Sequence, residues 1–314
     1  MSPQLLSRAQ INDVAWNQCV KRSPQRVMYG YTWYLDCVAW RWAGLVIPGK
    51  AGAYQAVMPV PLRRKFGRWV VHQPLFCQFL GVFAQGDAPD VLPFYEAMQQ
   101  HFRYCSVYAT PQHPPDLPGL QIYPYYTHVL DLSPGYDVIR QGYSRDRQLN
   151  LRRAEAAHWT VTEEENIEPL LQLFRCNHAD SIPGTVANWA YDQLRTLYAA
   201  LHKRGLITLR YTRRAGSIEA GALFVQEGNR IVYLFNAATE SGRRGNARTL
   251  LIDQLLQEKA GQPLLFDFES PEKPSIAGFY QSFGAVAQPY WTVRYSRLSP
   301  LEKGIQQFIR RWRS

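Results

Sequence analysis

Leu264-Leu-Phe-Asp-Phe-Glu-Ser270, followed closely by Ile276-Ala-Gly-Phe-Tyr-Gln-Ser-Phe-Gly-Ala285, reads as an apolar strand, a loop and a short helix. The loop carries Asp267 and Glu269. Phe279, Tyr280 and Phe283 recur at helical spacing, and Gly284 is a stop signal. A carboxylate at a strand end can take a proton from an attacking group, and a phenol nearby can give one to a leaving group. Each residue also has a structural reading: a cap or hydrogen-bond partner for the acids, a buried ring with a satisfied hydroxyl for Tyr280.

Upstream, Glu219 to Gln226 and Arg230 to Ala237 read as strands joined by Glu227-Gly228-Asn229, a hairpin signal. Ala220-Gly-Ala222 offers small residues where another group approaches closely. Next comes Ser241-Gly-Arg-Arg-Gly-Asn-Ala-Arg248, leading into an apolar helix with Leu250, Leu251, Leu255 and Leu256. A glycine-containing strand-to-helix turn aims backbone N–H groups outward, which suits a pyrophosphate, and Arg243 and Arg244 add charge. The same turn also reads as a solvated basic loop.

These segments resemble the GNAT acyltransferase superfamily. Gly245-Asn-Ala247 is similar to the end of its Arg/Gln-x-x-Gly-x-Gly/Ala loop, although Gly242 stands where Arg or Gln is usual and Arg243 follows it. Ala277 to Gly284 is similar to its Ala-x-x-Phe-Tyr-x-x-x-Gly-Phe pattern. The resemblance implies acyl-CoA as co-substrate, its pyrophosphate held by Arg243, Arg244, Gly245, Asn246 and Ala247. Tyr280 would protonate the leaving thiolate, and Glu269 or Asp267 would serve as base. Backbone N–H groups of a splayed strand, from Leu234 to Ala237, would polarise the donor carbonyl.

Ser144-Arg-Asp-Arg-Gln-Leu-Asn-Leu-Arg-Arg-Ala154 resembles the basic helix that opens the second domain of FemABX-like proteins, which carry two GNAT-like domains. The implied fold is α/β, two GNAT-like domains, each a mixed central sheet flanked by helices. The expected domains are residues 1–143 and 144–296, with a helix over 297–314 packing back on the first. The peptidoglycan branch of that group uses aminoacyl-tRNA; there, Arg145, Arg147, Arg152 and Arg153 would meet tRNA phosphates. Its members often carry Lys at the place of Tyr280 and a coiled-coil arm, and neither is read here.

The rest of the chain fits two domains. It has 314 residues, 46% apolar and 19% charged, ordinary values for globular cores. Helical segments are expected at Ile11 to Lys21, Tyr31 to Val38 and Pro89 to Phe102. Strands are expected at Ala43 to Ile47, Tyr54 to Val60, Trp69 to His72, Phe76 to Val82, Tyr104 to Ala109 and Tyr126 to Leu132. The second half repeats a similar order of elements and closes with Val286 to Tyr295.

A net charge of +10 favours anionic partners without choosing among them. The five Cys have no CxxC spacing, so buried reduced thiols are expected rather than zinc or disulfides. The seven His form no metal spacing, and His178 with Asp180 reads as structural. The Met1-Ser-Pro-Gln start lacks a signal-peptide pattern, and no run spans a bilayer, which points to a cytoplasmic protein. The basic stretch 300–313 has Phe308, Ile309 and Trp312 on one face, suited to an anionic membrane or to packing.

The expected function is N-acyl transfer from acyl-CoA or a similar activated donor to an amine on a small molecule or cell-envelope precursor. The alternatives are a tRNA-dependent aminoacyltransferase and a non-catalytic binding module of the same fold. No metal is expected, and the sequence leaves the acceptor and the oligomeric state open.

Overall fold

The computed structural model describes residues 2–65, 67–86, 90–111, 116–179, 186–269 and 273–298. The expected C-terminal helix and the 300–313 membrane face lie outside the described residues, as does Asp180. The chain forms two compact units: one runs to Tyr125 and resumes at Tyr290, and the other is Tyr126–Pro289.

Unit 1 contains β1 (Gln4–Ser7), α1 (Asp13–Arg22), α2 (Thr32–Val38), β2 (Arg41–Pro48), β3 (Tyr54–Lys65), β4 (Arg68–His72) and β5 (Phe83–Ala84). α3 (Leu92–His101) and β6 (Tyr104–Ala109) follow. The strands lie in the order β1-β2-β3-β4-β6, with β5 beside β3. Alternate strand residues Leu45, Met58, Val60, Val71, Cys105 and Val107 face a core shared with Phe94 and Met98 of α3. Phe76 to Val82 is not the expected strand. Phe76 adopts a left-handed φ of 55°, and Leu80 alone bridges to Ala109. Cys77, Phe79, Leu80 and Val82 are nonetheless buried, and a short apolar run reads alike for a strand and a buried irregular segment.

β7 (Gln121–Asp131) leads into unit 2, which contains α4 (Tyr136–Gln141), α5 (Arg145–Ala156), β8 (Thr160–Glu163), α6 (Glu168–Asn177) and α7 (Asn188–His202). The remaining elements are β9 (Ile207–Arg214), β10 (Ser217–Glu227), β11 (Arg230–Ala238), α8 (Glu240–Arg244), α9 (Ala247–Lys259), β12 (Leu265–Asp267) and α10 (Pro274–Gln281). The strand order is β7-β12-β11-β10-β9-β8. β11 and β12 are parallel and joined through α9, while the other pairs are antiparallel, so the sheet is mixed. Ala220 and Ala222 face the core built with α5, α9 and α10; Gly221, on the opposite face, leaves room for Tyr211 and for Leu170 of α6. Ser144 caps α5 by accepting from the Arg147 N–H at 3.2 Å.

β13 (Val286–Ser296) ends the described chain, and its Trp291–Ser296 stretch pairs antiparallel with β6 in unit 1. The expected boundaries at 143/144 and 296/297 thus differ from those of the compact units. Leu130, Leu132, Ile139 and Tyr143 already belong to the core of unit 2, because β12 pairs with Val129 to Asp131. The five cysteines carry no disulfide; Cys19, Cys77 and Cys105 are buried, Cys37 is half-buried and Cys176 exposed.

Candidate active site

The site begins where two parallel strands part. β11 and β12 pair at Arg230–Leu265, Ile231–Phe266 and Val232–Asp267, and the pairing stops there although β11 continues to Ala238. On its other edge β11 carries a bulge: Tyr233 faces Phe224 and Phe235 faces Leu223, leaving Leu234 over. A bulge bends and twists its strand. The backbone from Tyr233 to Ala237 therefore lines a wedge with no β12 partner among the described residues, and it includes Leu234 to Ala237, the stretch expected to polarise a carbonyl.

Tyr280 of α10 points into this region. It is 5% exposed, stacked on Phe268 with centroids 4.6 Å apart and edge-on to Tyr233 at 6.2 Å. Its hydroxyl hydrogen-bonds the Asn236 side chain. Asn236 Oδ1 accepts from Arg248 Nη1 at 2.9 Å, and the Asn236 side chain lowers the Tyr280 pKa, as an amide N–H donated to the phenol oxygen does. The phenol then keeps its own proton for another acceptor. Burial, with the Arg248 charge opposing and Glu269 adding, pushes the Tyr280 pKa up to about 12. The hydroxyl is protonated at neutral pH, as a general acid must be.

Glu269 follows β12 in a left-handed conformation, φ 47°, uncommon for a residue with a Cβ. Its N–H donates to Asp267 Oδ1 at 2.9 Å, which fixes that turn. Half-buried, Glu269 is close enough to Tyr280 for its charge to act on the phenol. Asp267 is used differently. It is fully buried, Oδ2 accepting from Arg230 Nη1 at 2.5 Å and Oδ1 also from Thr127 Oγ1 at 2.7 Å. This carboxylate ties β7, β11 and the Glu269 turn together, the structural use, and is not open to a substrate. His128 lies nearby: Phe268 donates to its carbonyl, and its Nε2 lies 3.0 Å from Gln281 Nε2 of α10.

The expected phosphate loop is a helical turn, α8, with its N–H groups turned inward. Gly242 N–H donates to Thr239 Oγ1, Arg243 N–H to Thr239 O, Gly245 N–H to Ser241 O and Asn246 N–H to Arg243 O. Gly242 and Gly245 are packing glycines. A Cβ on Gly242 would lie 2.1 Å from the Glu219 carbonyl oxygen, and one on Gly245 would lie 2.3 Å from the Trp159 ring. Arg243 donates to the Ala238 carbonyl at 2.9 Å, and the exposed Arg244 pairs with Glu240. Among the described residues, the N–H groups of Ala247 and Arg248 in the first turn of α9 have no hydrogen-bond partner. Those two groups and the Arg248 guanidinium are what this turn offers an anion.

Arg145, Arg152 and Arg153 of α5 are exposed, but Arg147 is not part of a solvated face. It is 4% exposed and lies over Phe279 and Phe283, 4.2 and 4.4 Å from their centroids. Nε donates to Ser282 Oγ at 2.9 Å and Nη1 to Thr249 Oγ1 at 2.5 Å. Burial, with the nearby Arg248 adding, lowers its pKa to about 10, while Tyr143 opposes. Arg147 thereby links α5, the first turn of α9 and the end of α10. Asn236 and Arg248 were missed in the sequence; a lone amide in the apolar run Tyr233-Leu-Phe-Asn-Ala237 was the available signal. Among the described residues no three His, Cys, Asp or Glu gather to hold a metal, and no helix is long and apolar enough to cross a membrane.

Residues 139–268 match the family model described as an acetyltransferase (GNAT) domain. By sequence, no curated protein matches the chain. Among solved structures, FemX superposes with a TM-score of 0.63 at 12% identity, covering 92% of this chain and 96% of its own. A tandem GNAT protein from the clavulanic acid biosynthesis pathway gives 0.55 at 12% identity, covering 95% and 99%. The C-terminal domain of a putative lysylphosphatidylglycerol synthetase from Agrobacterium fabrum gives 0.52 at 16%, covering 88% and 92%. Residues 139–268 thus match a GNAT domain, and the chain as a whole shares the fold of FemX and of the tandem GNAT protein.

Proposed function

We propose that the wedge between β11 and β12 transfers an acyl group from an activated donor to an amine. The observation that carries this reading is the Tyr280 hydroxyl, protonated and oriented by Asn236 and Arg248, beside the bulged backbone of β11. The amine lone pair attacks the donor carbonyl carbon, whose oxygen is polarised by N–H groups of the Tyr233–Ala237 stretch. The bond to the leaving group breaks, and Tyr280 supplies its proton. The proton lost by the amine passes to Glu269, directly or through water. Asp267 takes no part in the transfer.

For the donor, acyl-CoA remains the first reading, its pyrophosphate meeting the Ala247 and Arg248 N–H groups and the Arg248 guanidinium. One observation favours aminoacyl-tRNA as a second: the N–H groups from Gly242 to Asn246 are already spent inside the protein. An ester on a ribose needs no diphosphate cradle at that turn. The acceptor in either case is an amine, on a small molecule or a cell-envelope precursor.

Calorimetry with acetyl-CoA, longer acyl-CoAs and aminoacyl-tRNA separates the donors, followed by mass-spectrometric turnover on a panel of primary amines. With the donor that binds, Tyr280→Phe is expected to lower kcat about a hundredfold, the lower range for a general acid, and Glu269→Gln comparably. Turnover at the wild-type rate in both variants would sink this reading.

A further inference from the structure

From Cys37 to Gly86 the chain contains no Asp or Glu but six basic residues: Arg41, Lys50, Arg63, Arg64, Lys65 and Arg68. Five of these gather at one end of the unit 1 sheet. Leu62 to Lys65 of β3 pair with Arg68 to Val71 of β4. β2 begins at Arg41, opposite Leu62, and β6 joins β4 only from Val71 onward. The hairpin residues beyond, Arg63 to Lys65 and Arg68 to Val70, therefore have no further paired strand on either side among the described residues. The tip of the hairpin thus runs beyond its paired neighbours, with Lys65 Nζ 5.6 Å from the ring centroid of Tyr104 at the start of β6.

Side-chain alternation sorts this projection into two faces. Arg64 and Trp69 are cross-strand partners and share a face with Arg41, whose guanidinium lies 5.0 Å from the Trp69 ring centroid. Arg63, Lys65 and Arg68 belong to the other face. Trp69 is 41% exposed, and Trp40, just before Arg41, is 78% exposed. Among the described residues no carboxylate pairs with Arg41, Arg63 or Arg64. Directly behind the hairpin the sheet is buried on both faces, by Val60 and Val71 on one and by Trp42 on the other.

We propose that this hairpin docks the protein on an anionic phospholipid surface. Cations on both faces of a protruding ribbon suit a plane of negative headgroups, each basic side chain adding to the attraction. Tryptophan with an apolar body and an N–H edge suits the headgroup level. Nucleic acid is the less suitable partner, because single-strand binders offer bare aromatic faces to bases and here Arg41 covers a face of Trp69. The docking is independent of the reaction assigned to unit 2.

The test is flotation of the full chain with phosphatidylcholine vesicles and with vesicles carrying a third phosphatidylglycerol. Binding is expected only to the anionic vesicles, is released by salt, and falls at least about tenfold in R63E/R64E, two reversed charges at the surface. R63Q/R64Q, which adds no repulsion within the fold, decides the matter if the reversal variant fails to melt cooperatively. Three results would overturn the proposal: no binding of the wild type to anionic vesicles at low salt; vesicle binding unchanged in a folded hairpin variant; or hairpin substitutions that abolish binding of a single-stranded RNA while leaving vesicle binding intact.

Discussion

Asp267 and Glu269 stand two residues apart, and their environments give them different work. Asp267 is buried against Arg230, itself 14% exposed at the side chain, so removing the carboxylate strands a buried cation. Asp267→Ala is expected to cost about 3–5 kcal/mol of stability, measured as the urea unfolding midpoint with an unchanged m-value. Glu269→Gln is expected to leave that midpoint nearly in place. A stable Asp267→Ala protein with abolished turnover would reverse the assignment. The sequence favours a structural hydrogen bond for Asp267 and leaves Glu269 open between structure and catalysis, but nothing in the pattern names the partner that turns Asp267 inward. Arg230, the deciding partner, lies 37 residues away in the chain.

Among the elements, the turn between β11 and α9 carries the largest gap between pattern and structure. The glycines were legible as a turn, and the strand, helix and strand around them formed as expected. Their purpose was not legible, because it depends on Trp159 and on the Glu219 carbonyl, which other parts of the sheet bring in. Gly242→Ala drives a methyl against backbone that has no rotamer to change, and is expected to cost about 1–3 kcal/mol. Gly245→Ala meets a ring held through its Nε1–H by the Gly245 carbonyl at 2.9 Å, and is expected to cost a similar amount. Thermal unfolding of both variants checks this; if the glycines served phosphate instead, stability would hold and donor affinity alone would fall. Arg147 shows the complementary failure. The polar α5 sequence reads as a solvated helix, and only Phe279 and Phe283 from another element make its third residue a buried one.

At the scale of the whole molecule, titration gives a signed expectation. Burial lowers the pKa values of His72, His128 and His178 below the ordinary 6.5. Their contribution is present above pH 6.5 and is lost as pH falls below it, because the unfolded chain then binds protons the folded one refuses. Glu164, bonded to Arg213, and Glu168, bonded to Arg195, are held below their ordinary 4.5. They add a second loss as pH falls from 4.5 through their folded values. Asp253, raised by burial although Tyr136 and Tyr143 donate to it, works the other way: its ionised form is penalised at neutral pH. The net expectation is a melting temperature that declines in two stages on acidification, checked by calorimetry from about pH 8 to about pH 2, so that the scan runs well below the ordinary carboxylate value. A melting temperature that rises across that range would contradict it.

The parting of β11 from β12 at Val232 makes one strand unequal along its length. Up to Val232 both edges of β11 are paired; beyond it, one edge meets no strand among the described residues. Every second amide from Tyr233 to Ala237 should therefore exchange with deuterium far sooner than its neighbours, which remain locked to β10. A bound donor would slow just that alternate set. The strand thus carries its own gauge of occupancy, readable before any acceptor is known.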